Sequence, residues 1–196
     1  METILFDDKI FTKDLTLKAL AIYITRRYLK KQDQIDPFVV RKEFKNGKTS
    51  IKSGIEKLEK ANLISKIDEE KYKINTEILN DKNSKLIYSK IFKENKFKLG
   101  EIGMYILLQY LALKEGKINK EFNCIRSKNF SIEELSNLLT NDGDYSIRNK
   151  TNKLIENNYF SKYPIYINGE VKTWRTILNT NFTKYRVINA SKRINP

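Results

Sequence analysis

The chain of 196 residues has no histidine, one cysteine, seven glycines and three prolines. Without histidine, and with Cys124 as the single thiol, it lacks the residues that most often serve as general bases, nucleophiles and metal ligands. Neither a GxxxxGK[ST] nor a GxGxxG phosphate-binding motif is present. We therefore expect a protein that is not an enzyme and that uses no metal or other cofactor.

Long apolar runs and export signals are also missing. The longest apolar runs, such as 104–108, are far shorter than the ~20 residues that a bilayer span needs. The amino-terminal residues lack the basic-then-apolar pattern of a signal peptide, and one cysteine cannot form an intrachain disulfide. These absences predict a cytoplasmic protein with no membrane partner.

The chain is rich in positive charge and in aromatic residues. Lys and Arg number 38 against 24 Asp and Glu, which gives a formal net charge of +14. Hydrophobic residues make up 40%, with 10 Phe and 11 Tyr, so the chain can bury a core. The excess charge indicates a polyanionic partner, either nucleic acid or an acidic membrane surface. The alternative is a solvated lysine-rich surface with no such partner.

An internal repeat organises the sequence. Residues 49–64 recur as residues 145–160, with Ser50 aligned with Ser146 and Asn62 aligned with Asn158. In each copy, apolar or small residues at i, i+4 and i+7 predict one buried stripe of a helix. The opposite face carries Arg, Asn, Lys and Ser, which suit the major groove of DNA.

The repeat extends upstream of these helices. Residues 9–11 recur as 90–92, and a helix predicted over 17–29 has its counterpart at 99–113. Because several elements share one period, a duplicated fold is favoured over chance similarity. Residues 116–129 have no counterpart in the first copy and are expected to be an insertion.

Small residues and turns complete the pattern. Ala21 and Gly103 occupy equivalent places, where each would let another helix approach closely. Asn46-Gly47 and Asp142-Gly143 predict tight turns before the third helices, and Asn168-Gly169 predicts the turn of a β-hairpin. The expected fold is mainly α (α+β), with three helices and a hairpin in each of two domains, 1–80 and 86–190.

This order of elements resembles the winged helix-turn-helix superfamily. The resemblance is carried by Ser131-Ile132-Glu133-Glu134, which forms a capping box, by residues 146–160 and by the hairpin around Asn168-Gly169. Residues 97–105 also resemble the opening of helix-turn-helix domains in phage and plasmid replication proteins of low-GC bacteria. A tandem pair is similar to plasmid replication initiators and to compact regulators. One departure is the acidic first hairpin tip, 68–70, which is not expected to hold phosphate.

The resemblance implies that the two third helices read DNA and that the hairpins are wings. The candidate DNA contacts are Thr49, Ser50, Lys52, Ser53, Lys57, Tyr145, Ser146, Arg148, Asn149, Lys150, Asn152, Lys153 and Arg175. Arg148, Asn149 and Asn152 are the candidate base readers, because Arg pairs with guanine and Asn with adenine. Lys150 and Lys153 are candidate phosphate contacts.

The remaining candidates have less specific patterns. Hydroxyl groups and free backbone N–H groups at a helix start favour phosphate, which suits Tyr145 and Ser146. Gly54 would admit close approach either of DNA or of the first helix. Four cations near the end of the first helix are further phosphate candidates: Arg26, Arg27, Lys30 and Lys31.

The sequence therefore predicts a sequence-specific double-stranded DNA-binding protein that acts as a pseudo-dimer, as a transcription regulator. The alternative is a plasmid or phage replication initiator or DNA-processing accessory factor. A second alternative is a protein-interaction module whose basic faces meet an acidic protein. The expected partners are double-stranded DNA, with a second copy of the chain or the replication or transcription machinery.

Overall fold

The computed structural model describes residues 3–79, 84–88, 90–94, 96–115, 117–119, 124–129, 132–138 and 142–178. Contacts divide the chain into two compact units, Met1–Leu107 and Leu108–Pro196. This division falls inside a helix and differs from the predicted domain limits of 80 and 86. Residues 86–107, at the start of the second predicted domain, fall in the first unit.

The described helices follow the predicted order. They are α1 (Leu17–Tyr23), α2 (Pro37–Phe44), α3 (Lys48–Lys60), α4 (Leu99–Glu115), α5 (Ile132–Leu138) and α6 (Asp144–Glu156). A π-helical segment, Ile24–Leu29, continues α1, and 3-10 helices span Asp8–Thr12 and Lys90–Lys93. The fold is therefore mixed helix and sheet, of the α+β class.

Nine strands are described, in three antiparallel sheets. They are β1 (Thr3–Asp7), β2 (Gln34–Ile35), β3 (Ile64–Lys66), β4 (Tyr72–Ile74), β5 (Ser84–Tyr88), β6 (Lys117–Asn119), β7 (Cys124–Asn129), β8 (Phe160–Ile167) and β9 (Glu170–Leu178). The sheet orders are β1-β5, β2-β4-β3 and β6-β7-β9-β8.

Two of these sheets share one pairing scheme. In the first, Gln34 lies opposite Lys73, which in turn lies opposite Ser65. In the second, Ser127 lies opposite Ile177, which lies opposite Ser161. In both sheets a strand that precedes the second helix of the repeat pairs with the last strand of the hairpin. The order helix, strand, helix, helix, hairpin therefore occurs twice, and we call α1–β4 the first repeat and α4–β9 the second.

This pairing corrects one expectation about the region 116–129. We expected all of it to be an insertion, but β7 occupies the place of β2 in the pairing scheme. Only β6 extends the second sheet beyond the first. The match could not be found from the sequence, because β2 has two residues and β7 has six. A two-residue strand is too short to show an alternation of apolar and polar residues that could be aligned.

Equivalent local contacts begin and end the two third helices. Gly47 and Gly143 are their N-caps, with φ of −66° and −69°. After the last turn, Asn62 and Asn158 have φ of 60° and 62°, the left-handed region that Asn tolerates better than most residues. At the carboxyl end of each helix, the N–H of the residue after this asparagine donates to a carbonyl of the last turn. The pairs are Leu63 to Leu58 in the first repeat and Tyr159 to Leu154 in the second.

The strand that precedes each repeat pairs with its own equivalent. β1 and β5 are antiparallel, and Leu5 lies directly opposite Leu86. These two leucines are also the residues that the sequence repeat aligns with each other. The two-stranded sheet is therefore locally symmetric about the Leu5–Leu86 pair, and each strand leads into a 3-10 helix.

Two glycines allow close packing against α1. A Cβ on Gly103 would lie 1.9 Å from the carbonyl oxygen of Leu17, so the backbones of α1 and α4 meet there. A Cβ on Gly54 would lie 2.9 Å from Cδ1 of Ile22. Gly54 therefore packs on the first helix, which decides between the two roles that the sequence left open for it.

Candidate nucleic-acid interface

Helix α6 buries one stripe and exposes the opposite face. Ile147, Thr151 and Leu154 are buried, and the Thr151 hydroxyl donates to the Ile147 carbonyl at 2.9 Å. That bond satisfies the one polar group on the stripe, whose position is buried among apolar neighbours. The helix is therefore fixed in rotation, and the residues opposite the stripe face outwards.

Four candidate residues share the outward face of α6. Tyr145, Arg148, Asn149 and Asn152 are exposed, and Tyr145 has 79% of its surface accessible. Their spacing of i, i+3, i+4 and i+7 places them on one side of a helix. We call this set the α6 face. It offers one guanidinium, two carboxamides and one phenol, all able to donate hydrogen bonds.

Lys150, a candidate phosphate contact, is instead engaged within the protein. Its Nζ lies 2.5 Å from Oδ1 of Asp142 and also contacts the Ser146 hydroxyl. Only 16% of the side chain is exposed. This ammonium is neutralised and half-buried, so phosphate binding by Lys150 in this conformation is disfavoured. Ser146 and Lys153 are likewise half-buried.

The third helix of the first repeat is less available to a polyanion. Thr49, Lys52 and Ser53 are exposed on α3, whereas Ser50 is half-buried. The Lys57 ammonium lies 3.0 Å from the Asp14 carboxylate.

Lys52 on the same helix lies 3.9 Å from Glu56 in an exposed i, i+4 pair. Such pairs are weak, with typical values of ~0.3–0.5 kcal/mol, so Lys52 is readily released. Glu56 stands where the second repeat has Asn152. The candidate face of α3 therefore has more negative charge than that of α6.

In both repeats the residue before the N-cap contacts a serine in the first turn of the third helix, with opposite donor and acceptor roles. Asn46 donates to the Ser50 hydroxyl at 3.4 Å, and the Ser146 hydroxyl donates to Asp142 at 3.4 Å. The chemical difference is the carboxylate of Asp142, which holds Lys150. In the first repeat the position of Lys150 is taken by Gly54, which packs on α1.

The second hairpin positions the last candidate, Arg175. It belongs to β9, opposite Tyr163 of β8 and Asn129 of β7, so its backbone is in the middle of the four-stranded sheet. Its side chain lies outside the described part of the structure. At the tip, Ile167 and Val171 are exposed beside the Asn168-Gly169 turn. The first hairpin tip, with its carboxylates at 68–70, is exposed.

Two of the four cations after α1, Arg26 and Arg27, are engaged within the protein, which disfavours them as phosphate contacts. Arg26 is 2% exposed and lies 2.7 Å from the Glu43 carboxylate. Arg27 donates to the carbonyl oxygens of Thr76 and Leu79 at 3.0 and 2.7 Å.

The two arginines lie in the π-helical segment Ile24–Leu29, and as adjacent residues of a helix they point in different directions. In this segment the Lys30 N–H donates to the Thr25 carbonyl, five residues back. The wider turn changes the direction of successive side chains from that of an α-helix. The sequence carries no signal for it.

One exposed surface was not singled out from the sequence. On α2, Phe38, Arg41 and Lys42 are exposed with the spacing i, i+3, i+4, and the C-cap residue Lys45 is exposed directly after the helix. We call this set the α2 face. The spacing is readable from the sequence, but it is also typical of a solvated helix surface in which Glu43 neutralises its neighbours. Only the structure shows that Glu43 pairs with Arg26 and Lys30 instead.

The fold and these surfaces define an α+β protein with a repeated order of elements and exposed cationic or amide-rich helix faces. Comparison with protein-family models, with curated proteins and with solved structures gave no match for the chain. Within the described ranges, no helix has the length and apolar character that crossing a membrane requires.

Proposed function

We propose that the protein binds double-stranded DNA in a sequence-specific manner through two winged helix-turn-helix repeats. The repeated order of helix, strand, helix, helix and hairpin, with one pairing scheme in both sheets, supports this assignment of the fold. The net charge of +14 supports a polyanionic ligand.

The observation that carries the proposal is the α6 face. Arg148 can donate two hydrogen bonds to O6 and N7 of guanine, and Asn149 or Asn152 can form a bidentate pair with adenine. These side chains are exposed, and Gly143 is the N-cap of the helix that carries them. Each correct pair contributes ~1–3 kcal/mol of discrimination between bases.

The two repeats contribute unequally in this proposal. The α6 face has no carboxylate among its four residues, whereas Lys52 and Lys57 of α3 have acidic partners. We therefore assign base reading chiefly to α6, and weaker contacts to Thr49, Lys52 and Ser53. The protein would be an asymmetric pseudo-dimer, with one strongly read half-site.

A transcription regulator is the biological role that we favour, with a replication initiator or DNA-processing factor as the alternative. The two differ in their DNA sites: a regulator is expected to bind an inverted repeat or single site near a promoter, and an initiator an array of direct repeats. A protein-interaction module is the third candidate, in which an acidic protein occupies the same basic faces.

Selection of bound duplexes from a random pool tests the proposal. We expect enrichment of one short motif containing guanine and adenine, and we expect the Arg148→Ala/Asn149→Ala variant to lose the motif while retaining weak, salt-sensitive binding. Lys52→Ala/Ser53→Ala, at the equivalent positions of α3, is the matched control and should retain the motif. No duplex binding at low salt would refute DNA binding and favour the interaction module.

A further inference from the structure

The α2 face combines an exposed aromatic ring with three cations. Phe38 is 69% exposed at the start of α2, Arg41 and Lys42 are exposed along the same side, and Lys45 is exposed at the C-cap. None of these three cations has an ion pair within the described residues. This surface therefore offers an aromatic ring and three cations that have no acidic partner among the described residues.

The single carboxylate within α2 cannot neutralise this surface. Glu43 lies 2.7 Å from buried Arg26 and 2.8 Å from Lys30, so it is committed to the opposite side of the helix. At the N-terminus, the Asp36 carboxylate accepts from the N–H groups of Phe38 and Val39. The helix end is therefore already capped, and the positive potential comes from the side chains.

The equivalent helix of the second repeat has the opposite charge. Helix α5 contains Glu133 and Glu134 and no Lys or Arg. The basic face of α2 is thus a property of the first repeat alone. It is not a consequence of the repeated fold, and it shares no residue with the α6 face.

We propose that the α2 face binds single-stranded DNA, with a base stacked on Phe38 and phosphates held by Arg41, Lys42 and Lys45. Aromatic rings serve as platforms for unpaired bases, and neighbouring cations follow the backbone. In a duplex the bases are stacked on one another and present only their edges, so an exposed ring has no base to stack on.

Other occupants fit this surface less well. A helix that lies in a membrane interface needs a broad apolar face, but Val40 and Phe44 of α2 are buried in the protein core. Only Phe38 and Val39 remain for lipid. An acidic protein segment would satisfy the cations but has no particular need of an aromatic platform.

Single-strand binding would favour an origin-processing role over that of a regulator, since strands separate where replication begins. The inference rests on α2, so it can fail while duplex recognition by α6 stands. The probe is a fluorescein-labelled oligothymidylate of about 16 nucleotides, near the upper site size of one binding module. Fluorescence anisotropy of the full chain gives the dissociation constant.

Phe38 variants distinguish stacking from general apolar contact. We expect Phe38→Leu to weaken single-strand binding about 5- to 150-fold, the range typical for loss of an aromatic platform that stacks one base. Phe38→Trp should bind as tightly as the unmodified chain or more tightly, and Val39→Ala should bind unchanged. Because Phe38 is exposed, these variants should fold normally, which circular dichroism verifies. Equal binding by the Leu and Trp variants would overturn stacking.

Cation variants test the phosphate contacts. Arg41→Ala and Lys42→Ala should each reduce the slope of log K against log salt by about 0.7, the value for one phosphate on a single strand. Lys66→Ala, an exposed cation on β3, should leave the slope unchanged. Arg148→Ala/Asn149→Ala should affect duplex binding only. If single-strand binding is absent, or if only phosphatidylserine vesicles or oligouridylate bind in a Phe38-dependent way, the proposal is wrong.

Discussion

Lys150 and Asp142 form an ion pair, with 2.5 Å between Nζ and Oδ1, at the start of the helix that carries the candidate base readers. In the first repeat the place of Asp142 is taken by Asn46, which also contacts the serine of the following turn but has no charge. The pair removes one cation from the set that could contact a DNA backbone.

Replacing Asp142 by Asn should release Lys150. The carboxamide oxygen can still accept from Ser146, so the turn is preserved, while the ammonium becomes available to phosphate. We expect the salt dependence of duplex binding to steepen by about 0.9 in the slope of log K against log salt. Anisotropy titrations over a range of salt measure it. Adding Lys150→Ala should restore the original slope; a slope that stays steep in the double variant would show that Lys150 is not the cation released.

Gly103→Ala should destabilise the protein strongly. The new Cβ would meet the backbone of Leu17 at 1.9 Å, so α1 and α4 must move apart. We expect a loss of ~3 kcal/mol in the free energy of unfolding, at the upper end for overpacking. Gly54→Ala is the matched variant, because its contact is the flexible Ile22 methyl group and Ala gains ~1 kcal/mol in helix propensity. Urea denaturation should therefore show only a small change in the free energy of unfolding for Gly54→Ala. Equal losses for the two variants would contradict the assigned packing.

Glu43→Ala should lower the free energy of unfolding, because it leaves buried Arg26 without its carboxylate partner. Arg26 is 2% exposed and would lose its carboxylate partner while remaining in the core. Removing one member of such a pair costs ~3–5 kcal/mol, because an uncompensated charge stays buried. Glu56→Ala, which breaks only the exposed pair with Lys52, should change stability by less than ~0.5 kcal/mol. Thermal and urea denaturation of both variants measure the difference. Similar small losses would mean that water or another group compensates Arg26.

Asn62 should tolerate glycine better than alanine. Its φ of 60° is in the left-handed region, where a Cβ without a polar side chain costs ~1–2 kcal/mol. We expect Asn62→Ala to lose about 1 kcal/mol in the free energy of unfolding and Asn62→Gly to be nearly neutral. An Ala variant as stable as the Gly variant would show that the chain adopts another conformation at the end of α3.

Local features of the fold could be predicted because their causes are local. Asp36-Pro37 is a capping residue followed by proline, a pair typical of a helix start, and the Asp36 side chain caps α2. Asn168-Gly169 forms the predicted hairpin turn, with φ of 53° and 81°. Caps, turns and helical stripes depend on neighbours within a few residues, and the sequence displays those neighbours directly.

Long-range partners could not be read in the same way. A lysine in a sequence carries no sign of whether a carboxylate from another element will meet it, as Asp14 meets Lys57. The charge of buried Arg26 is met by Glu43, which belongs to another helix. The outward direction of Arg148 was predictable, because it follows from the stripe of Ile147 and Leu154 on the same helix.

The pairing of Leu5 with Leu86 has a consequence for the origin of the chain. A strand that meets its own equivalent in antiparallel register is one that can join two identical molecules across a twofold axis. In an ancestor with a single repeat, this strand would have held a homodimer together. Fusion of the two genes would then have made the association permanent, leaving each half free to acquire its own charge.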